Sequence, residues 1–192
     1  MEILLALGLG LGLSAAAGFR IFVPLLGLSL AGLAGWVELP AGSGWLATWP
    51  ACLALGAATL LEIGGYYIPW LDNLLDSLAT PAAALAGCLL ALIAFHDLPP
   101  VVRWLLAVIA GGGASSLVQL GSVSLRGLST GATGGLANPG VATLEAGAAL
   151  SFTLLALVLP LIALVLVPIL AVGLVVVLVR LLRRGRRPAQ AP

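Results

Sequence analysis

Arg20, Glu62, Asp72, Asp76, Arg126, Asn138 and Glu145 are the residues of this chain whose types and settings suit chemistry. The two arginines and four carboxylates lie inside or beside strongly apolar segments. A charge at the centre of a membrane helix costs about 2.5–3.5 kcal/mol on insertion scales, so it persists with a partner or a purpose. The carboxylates suit a proton, a cation or an amine. The arginines suit an anionic group, or a clamp on the carboxylates. Three of the seven acidic residues fall in one stretch, Glu62-Ile-Gly-Gly-Tyr66-Tyr67-Ile-Pro69-Trp70-Leu-Asp72-Asn73-Leu-Leu-Asp76.

Each residue has a plain reading beside the chemical one. Arg20, in Gly18-Phe19-Arg20-Ile21-Phe22-Val23-Pro24, either snorkels or pairs with Glu62 or Glu145. Glu62, Tyr66 and Pro69 at i, i+4 and i+7 share a face if the helix continues. If the helix ends at Gly64-Gly65, Glu62 sits at the interface instead. Asp72 and Asp76, at i and i+4, predict the polar face of a short interfacial or re-entrant helix, with Leu71, Leu74, Leu75 and Leu78 opposite. That face is either merely solvated or a cation, proton or amine site closed by Arg126. A magnesium-dependent transferase would also use spaced aspartates, but typically in richer motifs. Ser124 to Pro139 reads as a polar loop carrying Arg126, with Asn138-Pro139 capping the next helix. Backbone N–H groups at that helix start suit an anion, with Glu145 one to two turns further in.

Other residue classes carry less. Cys52 and Cys88 lie in apolar segments and read as buried and reduced. The lone His96 beside Asp97 reads as a solvated loop residue, and no metal site or cofactor is expected. Gly111-Gly-Gly-Ala-Ser-Ser116 reads as close helix packing, or as a discontinuity around a solute. No lysine follows it, against a phosphate loop. No catalytic residue is assigned.

Composition sets the environment. The chain is 61% hydrophobic and 8% charged, with mean hydropathy +1.21. A soluble domain carries about 25% charged residues. A net charge of +1 gives no general attraction to nucleic acid. Five of the eight arginines stand between Arg180 and Arg187, after a long apolar run. That block marks a cytoplasmic end by the positive-inside rule and also suits anionic lipid headgroups. The first segment resembles a signal peptide, but Glu2 and the absence of early positive charge favour a spanning helix.

Six apolar segments follow. The first, Ile3 to Leu33, is expected to break near Gly18–Pro24 into a span and a half-helix. The second runs from about Leu46 to Ile63, with Trp45 and Trp49 at the interface. The third starts at Thr80-Pro81 and ends near Phe95. The fourth runs from Arg103 to about Val123. The 34 uncharged residues from Ala146 to Val179 would make about 51 Å of helix against a core of about 30 Å. They are better read as two spans turning near Pro160 than as one kinked helix. The fold expected is an all-α polytopic membrane helix bundle of about six spans with broken or re-entrant segments. It forms one domain over 1–182, with possible halves 1–98 and 101–182, before an Arg-rich tail, 183–192. Six spans put both termini in the cytoplasm. Leu5-Ala6…Ser14 matches Leu106-Ala107…Ser115, and Ala58-Thr59…Glu62 matches Ala142-Thr143…Glu145, which allows an inverted repeat. Leu78 to Pro81 against Leu136 to Pro139 allows a parallel pairing instead.

Gly-Leu-Ser-Ala-Ala-Ala-Gly18-Phe-Arg20 with Pro24, Leu61-Glu62 with Ile68-Pro69-Trp-Leu-Asp72 and Asp76, then Arg126 and Glu145, resemble the bacterial membrane family called domain of unknown function 4126. The resemblance runs from about Leu5 to Glu145. It implies an integral inner-membrane protein and no activity. Many members have a lysine between the Glu and the Pro. Here Gly65-Tyr66-Tyr67 stand in that region.

Three functions fit. The first is a small-solute or ion transporter, or a channel-like protein, with the seven residues lining a polar site. The second is a scaffold or assembly factor whose buried charges set helix register. The third is a lipid translocase or lipid-modifying enzyme. Membrane lipids and a small solute or ion are the expected partners, nucleic acid is not, and a homodimer would suit the small-residue faces.

Overall fold

A computed structural model describes residues 1–185. Among them all regular structure is helical, with no strand. The part of the arginine tail from Arg186 onward lies outside the described residues.

Helix α1 (Glu2–Phe19) is the axis of the bundle, because small side chains let its neighbours come close. Gly8, Gly10, Gly12, Ser14, Ala15, Ala16, Ala17 and Gly18 are all buried. In lipid, such close packing replaces hydrophobic exclusion as the force between helices. A Cβ on Gly8 would stand 1.9 Å from the Pro160 carbonyl oxygen, and one on Gly12 would stand 2.6 Å from Ala156.

The expected break falls at Arg20, which is extended (φ −148°, ψ 123°) between α1 and α2 (Phe22–Leu33). Helix α2 then doubles back along α1, bringing Leu28 into the core with Leu13, Leu90 and Ala156. A seven-residue 3₁₀ segment (Ala41–Ala47) leads at a 68° bend into α3 (Trp49–Gly65), whose far end returns to the start of α2.

Two expectations about segment limits are corrected. Asp72 and Asp76 are not on a separate short helix. They open α4, a continuous 26-residue helix, Pro69–Ala94, with Pro81 inside it. Glu62, Tyr66 and Pro69 therefore do not share a face, since α3 ends at Gly65 and Pro69 starts the next helix. The region from Ser124 to Thr133 is not loop either. Helix α5 (Pro100–Leu106), a π-helical turn (Ala107–Gly112) and α6 (Gly113–Thr133) form one 34-residue run. Ser124 donates to the Leu120 carbonyl and Thr133 to that of Ser129, each one turn back, so these hydroxyls bond within the helix and do not end it. Gly134 (φ +64°) ends it instead.

The last apolar stretch divides at Leu159 into α7 (Asn138–Val158) and α8 (Pro160–Gly185), as the length arithmetic requires. The pair is a hairpin around α1. Going down α7, Ala142 faces Arg20 and Ala156 faces Gly12. Going up α8, Pro160 faces Gly8 and Val167 packs with Ala15. Helix α8 thus runs parallel to α1, and its end lies at the Arg20 end of the bundle, opposite the start of α1. The expectation of both termini on one side counted six crossings and missed the reversal made by α2.

Among the described residues, five helices are long and apolar enough to cross a membrane, or six if the bent pair ending at Gly65 is one span. Exposed Trp36, Trp45, Trp49 and Trp104 all fall at the end opposite Arg20, the placing expected of an aromatic belt. Helices α1 and α6 run the same way, since Gly111 faces Ser14 and Ser115 faces Gly18. The Leu5–Ser14 and Leu106–Ser115 match therefore joins parallel helices, whereas α3 and α7, which hold the other match, run oppositely.

Candidate functional site: a buried charge network

Five elements bring their charges to one end of the bundle. The break after α1 carries Arg20, α3 carries Glu62, α4 carries Asp72 and Asp76, α6 carries Arg126, and α7 carries Asn138 and Glu145. Arg20, Asp72, Arg126 and Glu145 are each at most 4% exposed.

Glu145 is the hub. Its Oε2 takes Arg20 Nη1 at 3.0 Å and also Arg126 Nη2. Its Oε1 accepts from Arg126 Nε at 3.2 Å and from the Ser122 hydroxyl. Arg126 thus grips one carboxylate with both prongs of its fork, the geometry that separates arginine from lysine. Its remaining Nη1 meets Asp72 and, at 3.3 Å, Asp76. Asn138 Nδ2 completes Asp72 at 3.1 Å and also reaches Thr130 at 3.1 Å. Asn138 therefore caps nothing; it is the first residue of α7, and its side chain ties α7 to α4 and α6.

Arg20 pairs with Glu145, not Glu62. Its Nη1 also donates to the Phe19 carbonyl (3.0 Å), and its Nη2 donates to that of Ala142 (3.1 Å). Glu62 instead takes the backbone N–H groups of Ile21 at 2.7 Å and Phe22 at 3.1 Å. These are orphan donors at the positive end of α2, so a carboxylate from α3 supplies the cap that α2 lacks in its own sequence.

Tyr66 is the residue that sequence reasoning left out of the site. Its ring lies 3.9 Å from the Arg20 guanidinium carbon and 4.0 Å from that of Arg126. Aromatic faces attract such cations most where water is excluded. Tyr66 is 4% exposed. The signal available was its position one turn after Glu62. Ser122 was also missed, because the helix around it was read as ending at Val123; its place one turn before Arg126 is visible only once the helix continues.

Charge and donors do not balance. Four carboxylates face two guanidiniums, so the fully ionised network carries two surplus negative charges. Arg20 Nε and Gln119 Nε2 are buried with no hydrogen-bond partner among the described residues. Gln119 precedes Ser122 and Arg126 by three and seven positions, placing it on the same face one turn nearer the bundle centre. The anion site proposed for the start of α7 does not form around Arg126, whose guanidinium is occupied by three carboxylates.

Among the described residues, an apolar groove of about 460 Å³ between α3 and α4 reaches this end, with Glu62 and Tyr66 at its polar end, and a larger apolar cavity of about 780 Å³ runs past Val23, Ile63, Thr143 and Ala146. Cys52 and Cys88 are free thiols away from the network. Exposed His96, at the other end, meets Asp97 at 3.2 Å and the Ile93 carbonyl at 3.2 Å.

An all-helical, multi-pass membrane protein with a buried carboxylate–guanidinium network is the class that fold and site define. The chain belongs to the family described as Domain of unknown function (DUF4126), whose model matches residues 7–183. No curated protein and no solved structure matches it.

Proposed function

We propose that this protein is a small transporter that takes up a proton or cation at the charge network. The surplus of two carboxylates carries this reading. A network serving only to fix helix register has no need of uncompensated charge, and uncompensated charge away from water is costly. A proton or cation restores the balance.

Asp76 is the residue assigned to that exchange. Asp72 and Glu145 are held by close contacts to Arg126, whereas Asp76 has only the 3.3 Å contact and is 14% exposed. Arg126 and Glu145 are the fixed frame, and Glu62 holds the α1–α2 break against α3. By the positive-inside rule, Arg180 and the following arginines support a network on the cytoplasmic side, with the start of α1 across the membrane. The residence of the chain in a bacterial inner membrane is part of the same reading.

Proteoliposomes holding a pH-sensitive dye test it. Wild-type protein should raise proton or cation flux above empty vesicles, and Asp76→Asn should remove at least nine-tenths of that gain while the protein stays monodisperse. Equal flux in Asp76→Asn would exclude the assignment. Absence of any protein-dependent flux, with a normal fold, would leave the network as a structural lock.

A further inference from the structure

We infer that the α3–α4 groove admits an amphiphilic organic cation from the bilayer, with its apolar body in the groove and its charge at Glu62 and Tyr66. This rests on the reading of the network as a cation-accepting site and names the class of substrate.

Helices α3 and α4 are consecutive yet scarcely touch. Their divergence leaves the groove of about 460 Å³, within the range of about 300–1,000 Å³ usual for small-molecule sites. Leu61 and Leu78, on its two walls, are 76% and 59% exposed, so the opening faces sideways into lipid. Apart from Glu62 and Tyr66 the lining is aliphatic or aromatic. A hydrophilic ion would gain nothing from such walls, and a neutral hydrocarbon would gain nothing from the polar end.

Two observations at that end select positive charge. Glu62 uses one lone-pair direction on each oxygen for Ile21 and Phe22, and a carboxylate has about four, so it keeps capacity for another donor or cation. Tyr66 is buried yet lines the groove, and its hydroxyl makes no hydrogen bond among the described residues. Behind Tyr66 stand the Arg20 and Arg126 guanidiniums, and the carboxylates that outnumber them leave this end of the bundle net negative when fully ionised. A bulky anion would meet the Glu62 carboxylate there.

Full-length protein in lipid nanodiscs, titrated with radiolabelled tetraphenylphosphonium, tests the inference. Saturable binding is expected, weakened at least tenfold by Leu78→Trp, which fills the groove, and by Glu62→Gln. Ala82→Leu, a milder filling, reads the same effect if Leu78→Trp fails to fold. Tetraphenylborate, of similar shape and opposite charge, should not compete. Equal binding of the borate, or unaltered phosphonium binding in both groove variants, would overturn the proposal. Asp76-dependent proton flux without phosphonium binding would overturn the groove and leave the transport reading standing. Groove-dependent phosphonium binding without any flux would support the groove and sink the transport reading.

Discussion

The Arg20 guanidinium meets the Glu145 carboxylate at 3.0 Å, joining the break after the first helix to the second turn of the seventh. The contact spans 125 residues of sequence, and it is shared, because Arg126 holds the same oxygen. Removing Glu145 strands two buried cations at once. Breaking a buried pair from one side costs about 3–5 kcal/mol. Glu145→Leu should therefore lower unfolding stability in detergent by about that amount. The double variant Arg20→Met/Glu145→Leu should cost less than the sum of the two single changes by about 1–3 kcal/mol. Strict additivity in the denaturation series would show that the pair does not couple.

Glu62 caps a helix from a distance, which hydrogen exchange can see. A glutamine has one acceptor oxygen in place of two, so Glu62→Gln leaves one of the Ile21 and Phe22 amides unsatisfied, at about 1–3 kcal/mol. Exchange at Ile21 and Phe22 should quicken at least fivefold while the amides of α4 keep their protection. Unaltered exchange at both would remove the cap from the account.

Tyr66 separates ring from hydroxyl. Tyr66→Phe keeps the face that both guanidiniums approach and should unfold within about 0.5 kcal/mol of wild type. Tyr66→Leu loses two cation–π contacts, each worth about 2 kcal/mol where water is excluded, and should cost about 2–4 kcal/mol. Equal melting of the two variants would mean that the ring is only filler.

Gly8 and Gly147 make a steric contrast. A Cβ at Gly8 would meet the Pro160 carbonyl, whereas one at Gly147 meets nothing within 4 Å. Gly8→Ala should cost about 1–3 kcal/mol through overpacking of α1 on α8. Gly147→Ala should gain about 0.5–1 kcal/mol by stiffening α7. Thermal melts of the two variants in one detergent should move in opposite directions.

Much of the site was legible because charge in an apolar chain is conspicuous. Arg20, Glu62, Asp72, Asp76, Arg126, Asn138 and Glu145 could be singled out one by one, and the break at Arg20 and the turn at Pro160 followed from length and proline. The helix carrying Arg126 was not legible: Ser124 to Thr133 has the composition of a loop, and only packing makes it continue. The start of α4 was hidden for the converse reason, since Pro81 looks like a helix beginning while neighbouring contacts keep the helix intact through it.

What the amino-acid order determined by itself was the medium and the parts: apolar helices of spanning length, small residues along α1, and a few charges too costly to leave unpaired. Which partner each charge takes was decided only in three dimensions. Arg20 had two acids within reason, and it lies against Glu145 because α7 descends beside α1 while Glu62 is held by the N-terminus of α2. The direction of α2 decided as much again. A twelve-residue helix is too short for hydropathy to say whether it crosses or doubles back, because the answer depends on the groove that neighbouring helices leave for Leu28. That reversal puts the end of α8 and the charge network at one end of the bundle.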